Sequence, residues 1–335
     1  MAGRRGGDVT SMAIGSSRLF SDLDVDVEAD APLGPRTWFG VGGRADALVR
    51  PRSEEALSTL VERCHRDGVA LRVLGEGANL LVADEGVSGV VVRLDADCFR
   101  ERRLNVRGAV EGVRLMAGAD LARCVLETTR SGFAGLGGLA GIPASIGGAV
   151  RMNAGGAFGS IGDRLHAVGC LDRRGELVVA PASSLNLGYR RCELPGEIVL
   201  WASFTLDEGD PVRLRSEVAE VFAYKRSTQP LAEHSAGCMF RNPREEIVPP
   251  EVRKAFGGSV SAGGLVDRAG LKGLAHGGAS ISTRHANFVV VKAGATAGDI
   301  LALSEVVADR VEDRFGVRLE REVVVWNRTP PEESR

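Results

Sequence analysis

Three residues, far apart in the chain, are of kinds that could carry anion and acid–base chemistry. Arg190 stands in Gly188–Arg191 (GYRR), Cys238 in His234–Pro243 (HSAGCMFRNP) and Glu322 in Leu319–Trp326 (LEREVVVW). A guanidinium fork matches a carboxylate and holds it in a fixed plane. A free thiol, with a pKa of about 8.5, stays protonated at neutral pH and is a far stronger acid than an aliphatic hydroxyl. A carboxylate accepts hydrogen bonds and, if protonated, donates one. Each residue also has a plainer reading: a solvated surface arginine, an inert buried cysteine, an exposed charge at a strand start.

Two glycine-rich stretches are the second kind of signal. Leu74–Asn79 (LGEGAN) sets two glycines at a strand end, where successive backbone N–H groups can converge on an anion; a hairpin turn is the plainer alternative. A dinucleotide fingerprint would need a third glycine and a following helix, whereas Leu80 opens what reads as another strand, and no GxxxxGK[ST] exists. Gly132–Gly159 holds ten glycines in 28 residues with few bulky side chains. Such a segment cannot make an ordinary core layer. It suits either a tightly packed loop pair or the bed of a large, flat, phosphorylated cofactor, which glycine backbone can approach closely.

The elements that must position these residues are legible in outline. Arg36–Val49 reads as a glycine-interrupted turn leading to a strand. Pro51 and Ser53 open a helix with Leu57, Leu60, Val61 and Cys64 on one face, closed by Gly68. Val69–Leu94 reads as three short strands separated by turns. Ala117–Arg130 is predicted helical, with Asp120 near its start and Leu121, Cys124 and Val125 inward. His166–Leu206 reads as short alternating strands. Asp207–Pro211 is the linker expected, followed by a helix with Val218, Val221 and Phe222 inward. Asn287–Lys292 is a strand, and Thr296–Arg314 the clearest helix, with Thr296 as N-cap, Ile300, Leu303, Val307 and Val311 in one stripe, and Gly316 as its stop. A last strand runs from Glu322 to Trp326. The fold class is α+β in two main parts, with the break near 207–213.

Composition narrows the function classes. The 335 residues carry 42 Lys+Arg against 44 Asp+Glu, a formal charge of -2, which argues against nucleic acid or an anionic membrane as the main partner. Aromatics at 5% leave little for stacking on bases. The six cysteines form no CxxC and the five histidines no HxxxH or HExxH, so no metal site and no disulfide framework is expected. No apolar signal region follows Arg4 and Arg5, and reduced thiols in the cytoplasm fit. Gly132–Val150 is uncharged, but its glycines and Pro143 make a poor membrane span.

The segments together resemble the UDP-N-acetylenolpyruvoylglucosamine reductase (MurB) family of peptidoglycan synthesis, in the lineage without a substrate-closing tyrosine loop, since no Tyr lies between Arg190 and Tyr224. The matching blocks are TWFGVGG, LGEGANLLVADEG, GLAGIPASIGGAVRMNAGGAFG, GYR, SAGCMFRNP, GLVDRAGLKG, HANFVV and LEREV, in order from about Ala31 to Trp326. The resemblance implies a vanillyl-alcohol-oxidase (PCMH) type FAD-binding domain at 21–207, with subdomains at about 21–97 and 98–207, and a C-terminal α+β substrate domain at 208–330. Residues 1–20 are expected to lack structure.

By the same resemblance FAD, bound non-covalently, would meet Val41, Gly42, Gly43, Gly75, Glu76, Gly77, Ala78, Asn79, Leu80, Gly141, Ile142, Pro143, Ala144, Ser145, Gly147, Gly148 and Asn153. UDP-GlcNAc-enolpyruvate would meet Tyr189, Lys225, Arg226, Asn242 and His285. NADPH would reduce the flavin and leave. Hydride would then pass to the vinyl carbon, Arg190 and Glu322 would stabilise the enolate, and Cys238 would protonate it. Many members carry Ser at the position of Cys238; the free thiol is expected to preserve function and to add sensitivity to thiol oxidants. Ala78 and Ala144 replace a usual Ser and Gly, which bears on FAD affinity. A monomer is expected. The rival readings are another FAD oxidoreductase of this fold and a non-catalytic UDP-sugar-binding paralogue.

Overall fold

The computed structural model describes residues 18–104 and 112–328. Strands β1 (Val25–Pro32), β2 (Arg44–Pro51), β3 (Leu71–Val73) and β5 (Val87–Val92) form a sheet in the order β1-β2-β5-β3, antiparallel only between β1 and β2. Helix α1 (Glu54–Arg66) links β2 to β3. Ser53 caps it by accepting from the Ala56 N–H, and Leu57, Leu60, Val61 and Cys64 are buried as their spacing predicts. Strand β4 (Leu80–Val82) does not join this sheet. It pairs, parallel, with a strand from the far end of the chain. Leu74–Asn79 is therefore not a hairpin turn: it carries the chain from one sheet to another.

A second sheet runs β12-β11-β13-β7-β6 and is antiparallel throughout: β6 (Arg102–Arg103), β7 (Val113–Met116), β11 (Leu165–Leu171), β12 (Leu177–Pro181) and β13 (Ile198–Phe204). All seven residues of β13 and six of the seven in β11 are buried, so the alternation expected for 166–206 gives way to strands covered on both faces. Helix α2 (Leu121–Arg130), capped by Asp120, buries Leu121, Cys124 and Val125. The uncharged stretch after it breaks into a two-residue strand, β8 (Phe133–Ala134), and a six-residue helix, α3 (Ile146–Arg151). A small hairpin follows, β9 (Gly155–Gly156) with β10 (Gly159–Ser160). Among the described residues no helix is long and apolar enough to cross a membrane.

One hydrophobic core serves both sheets, running from Leu19 through α1, α2 and β13 to Val221. Of the head expected to lack structure, residues 1–17 lie outside the described residues, while Leu19 is only 3% exposed against this core. The expected linker is also structured. Strand β14 (Asp207–Glu208) pairs with β8, and Asp210 caps helix α4 (Pro211–Thr228). Helix α4 packs on α2 along a narrow seam where Val221 and Lys225 are buried and Val218 half-buried. Phe222, expected inward, is 47% exposed, because it lies about 100° around the helix from Val221.

The remaining chain builds a second core under α5 (Pro250–Ala255), α6 (Ala262–Arg268) and α7 (Ala297–Phe315). These cover a three-stranded sheet of β15 (Ala275–His276), β16 (Ala279–Ile281) and β17 (Val289–Val291). Thr296 and Asp299 form a capping box at α7, Gly316 ends it, and Ile300, Leu303, Val307 and Val311 are fully buried. Strand β18 (Val324–Trp326) is the partner of β4. Asp84 accepts from the Ala297 and Gly298 N–H groups at the start of α7, both at 2.9 Å, a second tie between the parts.

Candidate active site

Arg190 sits at the tip of a two-residue turn. Gly188 and Arg191 exchange backbone hydrogen bonds at 3.0 and 3.1 Å, leaving Tyr189 and Arg190 between them. Arg190 has φ +53°, a left-handed conformation that costs an L-residue roughly 1–2 kcal/mol and that persists only when its surroundings hold it. Asn153 is one such hold. Its Nδ2 donates to the Gly188 carbonyl at 2.8 Å and its Oδ1 accepts from the Gly162 N–H at 3.0 Å. Expected against the cofactor, Asn153 instead has both ends of its carboxamide engaged with backbone. Asn153→Ala leaves the Gly162 N–H without its partner and the Gly188 carbonyl with only the Arg191 N–H, and is expected to cost about 1–3 kcal/mol in urea unfolding.

Glu322 meets this turn from the other end of the chain. Arg190 Nε donates to Glu322 Oε1 at 2.6 Å, and the Tyr189 hydroxyl donates to Oε2 at 3.3 Å. Both side chains of the ion pair are mostly shielded, at 17% and 8% exposure. The two expected alternatives, solvated arginine and exposed glutamate, are thus set aside. Tyr189 itself accepts from the Asn242 N–H at 3.3 Å, and the Asn242 Oδ1 accepts from the Ala262 N–H at the start of α6. Burial, and then the Glu322 charge, push the Tyr189 phenol up from its ordinary pKa.

Cys238 lies on the strip beside Glu322. The Glu322 N–H donates to the Met239 carbonyl at 2.8 Å, Arg241 N–H to the Glu320 carbonyl at 2.9 Å, and Phe240 and Arg321 form an isolated bridge. On the opposite edge Cys238 is bridged to Phe288. Asn79 fixes the Glu322 strand from below: its Nδ2 donates to the Glu322 carbonyl at 3.2 Å and its own carbonyl accepts from Val324. The Cys238 thiol is pushed up to about 12, by burial first and by the Glu322 charge second, against opposing effects of Arg190 and Asn287. This corrects the sequence-based expectation, which gave it the acidity of a free thiol.

The glycine-rich segments meet at a cavity between the end of β3, α3 and the start of β13. Gly75, Glu76, Ser145, Gly147 and Gly148 line it, with Arg93, Arg100 and Arg151 in the same wall. A Cβ on Gly75 would stand 2.7 Å from Ser145 Oγ, so the two walls approach each other only because residue 75 has no side chain. Glu76, Asp95 and Glu197 share the lining, with Arg93 paired to Asp95 at 3.5 Å, so what suits the cavity to a phosphorylated cofactor is its glycine backbone and the guanidinium groups of Arg100 and Arg151 rather than an excess of positive charge. The three arginines were not identified from sequence, because they come from separate segments that only the fold brings together.

The other expected cofactor contacts lie outside that cavity. Gly42 and Gly43 press on the backbone of Val82 and Asp84, and Val41 packs toward the second core. The Gly77 carbonyl accepts from the Trp38 N–H, Ala78 is half-buried, and Leu80 is buried in β4. Gly141 is flanked by Phe222 and Lys225, while Ile142, Pro143 and Ala144 are half-buried, the Ala144 carbonyl accepting from Leu121.

The expected substrate contacts divide. Lys225 is buried at 7% exposure and donates to the Ala140 carbonyl at 2.6 Å; burial lowers its pKa to about 8. Arg226 is exposed. His285 is half-buried, accepts at Nδ1 from the Asn287 N–H at 3.2 Å, stacks edge-on against Phe288 and has its pKa lowered by burial and by Lys272. Asn287, 3% exposed and hydrogen-bonded to Phe240, was missed; a polar residue opening the apolar run FVVV was the available signal.

Residues 229–326 match the family described as UDP-N-acetylenolpyruvoylglucosamine reductase, C-terminal domain, and residues 45–180 the family described as FAD binding domain. The UDP-N-acetylenolpyruvoylglucosamine reductase of Desulfosudis oleivorans is 40% identical over 309 residues, covering 89% of this chain and 94% of its own. That of Anaeromyxobacter dehalogenans strain 2CP-C is 41% identical over 307 residues, covering 91% and 87%. The crystal structure of the UDP-N-acetylenolpyruvylglucosamine reductase (MurB) from Thermus caldophilus superposes with a TM-score of 0.72 at 36% identity, covering 91% of this chain and 99% of that one.

Proposed function

The chain belongs to the UDP-N-acetylenolpyruvoylglucosamine reductase family, and from that premise we propose how its residues divide the work. It is an FAD-dependent reductase of peptidoglycan synthesis that uses NADPH and converts UDP-GlcNAc-enolpyruvate to UDP-N-acetylmuramate. What FAD supplies when bound is a hydride relay, from NADPH to the vinyl carbon of the substrate. The cavity at Gly75, Ser145, Gly147 and Gly148 fits its phosphates.

The observation that carries the residue assignment is the Arg190–Glu322 pair at 2.6 Å beside the Cys238 strip. Glu322 takes the Nε of Arg190, which leaves the Nη edge for the substrate carboxylate. As hydride arrives, charge spreads onto that carboxylate, and a guanidinium already oriented stabilises it without reorganising. Glu322 has donors on both oxygens, so it acts as the hydrogen-bonded anchor of Arg190 rather than as a bare charge facing the enolate. Cys238, protonated across the working pH range, gives its proton to the carbon next to the carboxylate. Lys225, with Arg226, Asn242 and His285, is assigned to the UDP-sugar.

FAD binding is assigned to residues 21–207 and substrate binding to 208–330, with α4 lying back on the first part. A monomer in the cytoplasm completes the reading; sedimentation velocity tests the first and cell fractionation the second.

The test is one anaerobic absorbance trace. NADPH bleaches the visible flavin band, and the UDP-enolpyruvyl sugar restores it. A band that the sugar leaves bleached overturns the substrate assignment. A pH series tests Lys225. Its charge is present below about 8 and lost above, where an ordinary lysine would hold it to 10.5. Because kcat/KM reports the free enzyme, it is expected to fall as pH rises through about 8, and the fall should vanish in Lys225→Gln. A wild-type profile flat to pH 9.5 contradicts the assignment.

A further inference from the structure

We propose that Asn287 is a positioning residue for Cys238: its carboxamide grips the peptide at Phe240 and turns its remaining N–H to the sulfur, leaving the thiol hydrogen to face the reacting carbon. The inference rests on Cys238 being the proton donor.

Asn287 is 3% exposed; its carboxamide and its backbone carbonyl are engaged on this strip, while its backbone N–H donates to His285 Nδ1. Its Oδ1 accepts from the Phe240 N–H at 2.9 Å and its Nδ2 donates to the Phe240 carbonyl at 2.8 Å. Those two bonds run in opposite directions, so they fix which end of the amide is nitrogen. Its backbone carbonyl accepts from Met239 at 2.7 Å, and its neighbour Phe288 is bridged to Cys238. Nδ2 keeps a second hydrogen, and its proposed acceptor is the sulfur of Cys238, whose backbone is bridged to the next residue, Phe288; the lowering effect of Asn287 on the thiol pKa is consistent with that contact. A sulfur that accepts from one side must aim its own hydrogen elsewhere. Glu322, Arg190 and Tyr189 are the charged and titratable groups around it from the other elements.

The chemical step balances simply. The S–H bond breaks, a C–H bond forms on the substrate carbon, and the sulfur keeps the electron pair as a thiolate. The Asn287 N–H then donates to that thiolate, and solvent returns the proton after product leaves. A hydrogen bond to the charged form favours that form, so Asn287 offsets part of the burial that opposes ionisation.

The test uses the full chain loaded with FAD. Asn287→Ala is expected to slow reoxidation of the flavin by the UDP-enolpyruvyl sugar about tenfold, one pKa unit of lost thiolate stabilisation, and to leave bleaching by NADPH unchanged. Alkylation of Cys238 by iodoacetamide at fixed pH, followed by mass spectrometry at that residue, should slow in the same proportion. A purely structural role would loosen the strip and speed alkylation, and that result overturns the proposal. In a Cys238→Ala background the substitution should add nothing to the loss in reoxidation; an additive loss overturns it too. Should Asn287→Ala fail to fold, the residue is kept and the protein labelled with [15N]asparagine. The Asn287 side-chain amide signal should shift on Cys238→Ala, and an unmoved signal overturns the proposal. If Cys238→Ala itself leaves reoxidation untouched, the donor assignment fails, and the alkylation and amide measurements still judge the contact.

Discussion

Cys238→Ala leaves bleaching of the flavin by NADPH intact and slows the return of the visible band on adding the UDP-enolpyruvyl sugar by about 10²–10⁴-fold, the range for removing a general acid. The asymmetry follows from the chemistry: hydride transfer into the flavin needs no proton from residue 238, whereas the second half-reaction ends on one. Equal slowing of both halves would mean that the substitution disturbed the cavity rather than the donor. Cys238→Ser is expected to retain most of the activity, because a hydroxyl in the same place also has a proton to give. With the thiol pushed up to about 12, the sulfur stays protonated through neutral and mildly alkaline pH. Its limb of the pH profile should therefore be flat from about pH 6 to 10. The same shift revises the expected oxidant sensitivity. Oxidation proceeds through the thiolate, and little thiolate is present at neutral pH, so Cys238 should resist peroxide better than a free cysteine.

Arg190→Ala is expected to lower kcat/KM about 10²–10³-fold, the scale for removing one preorganised donor at a developing anion. It removes the partner of the substrate carboxylate and also leaves Glu322, which is 7% exposed, to repel that carboxylate. Adding Glu322→Gln should therefore recover part of the loss, since a neutral amide no longer repels. Arg190→Lys should fall short of wild type, because an ammonium cannot hold Glu322 through one edge and a carboxylate through another. Steady-state kinetics of the four proteins checks both statements. A double variant no better than Arg190→Ala would show that repulsion by Glu322 contributes nothing.

Local signals were well read, and long-range ones were not. Ser53, Asp120 and Thr296 start helices where their side chains predict, and the stripe Ile300, Leu303, Val307 and Val311 is buried as its spacing requires. These effects act within one or two turns of chain. Leu74–Asn79 was open between hairpin and anion loop because nothing in its composition says that β4 pairs with residues 324–326. Phe222 was placed inward by its apolarity, but α4 buries a seam too narrow to include it. The plainer readings of Arg190 and Glu322 fail only through a contact 132 residues apart in sequence, and a spacing pattern carries no trace of it. Asn153 was singled out among the glycines as a cofactor contact, and its role as a clamp on Gly188 was not legible because it depends on a turn 35 residues away. The family resemblance joined these positions in function; the distances came with the fold.

The parallel pairing of β18 with β4 has a consequence for how the protein comes into being. Asn79 and the Glu322 backbone it supports are 243 residues apart, so the ribosome completes the loop long before its partner exists. At about 5–20 residues per second, that interval is of the order of ten seconds or more. Throughout it a nascent chain can already hold the sheet of β1, β2, β3 and β5, yet it lacks the carboxylate that orients Arg190. Reductase competence therefore arrives late and all at once, with the docking of three residues at the end of a high-contact-order fold. A chain truncated before Val324 would retain most of its hydrophobic core while losing the support that sets Glu322 in place.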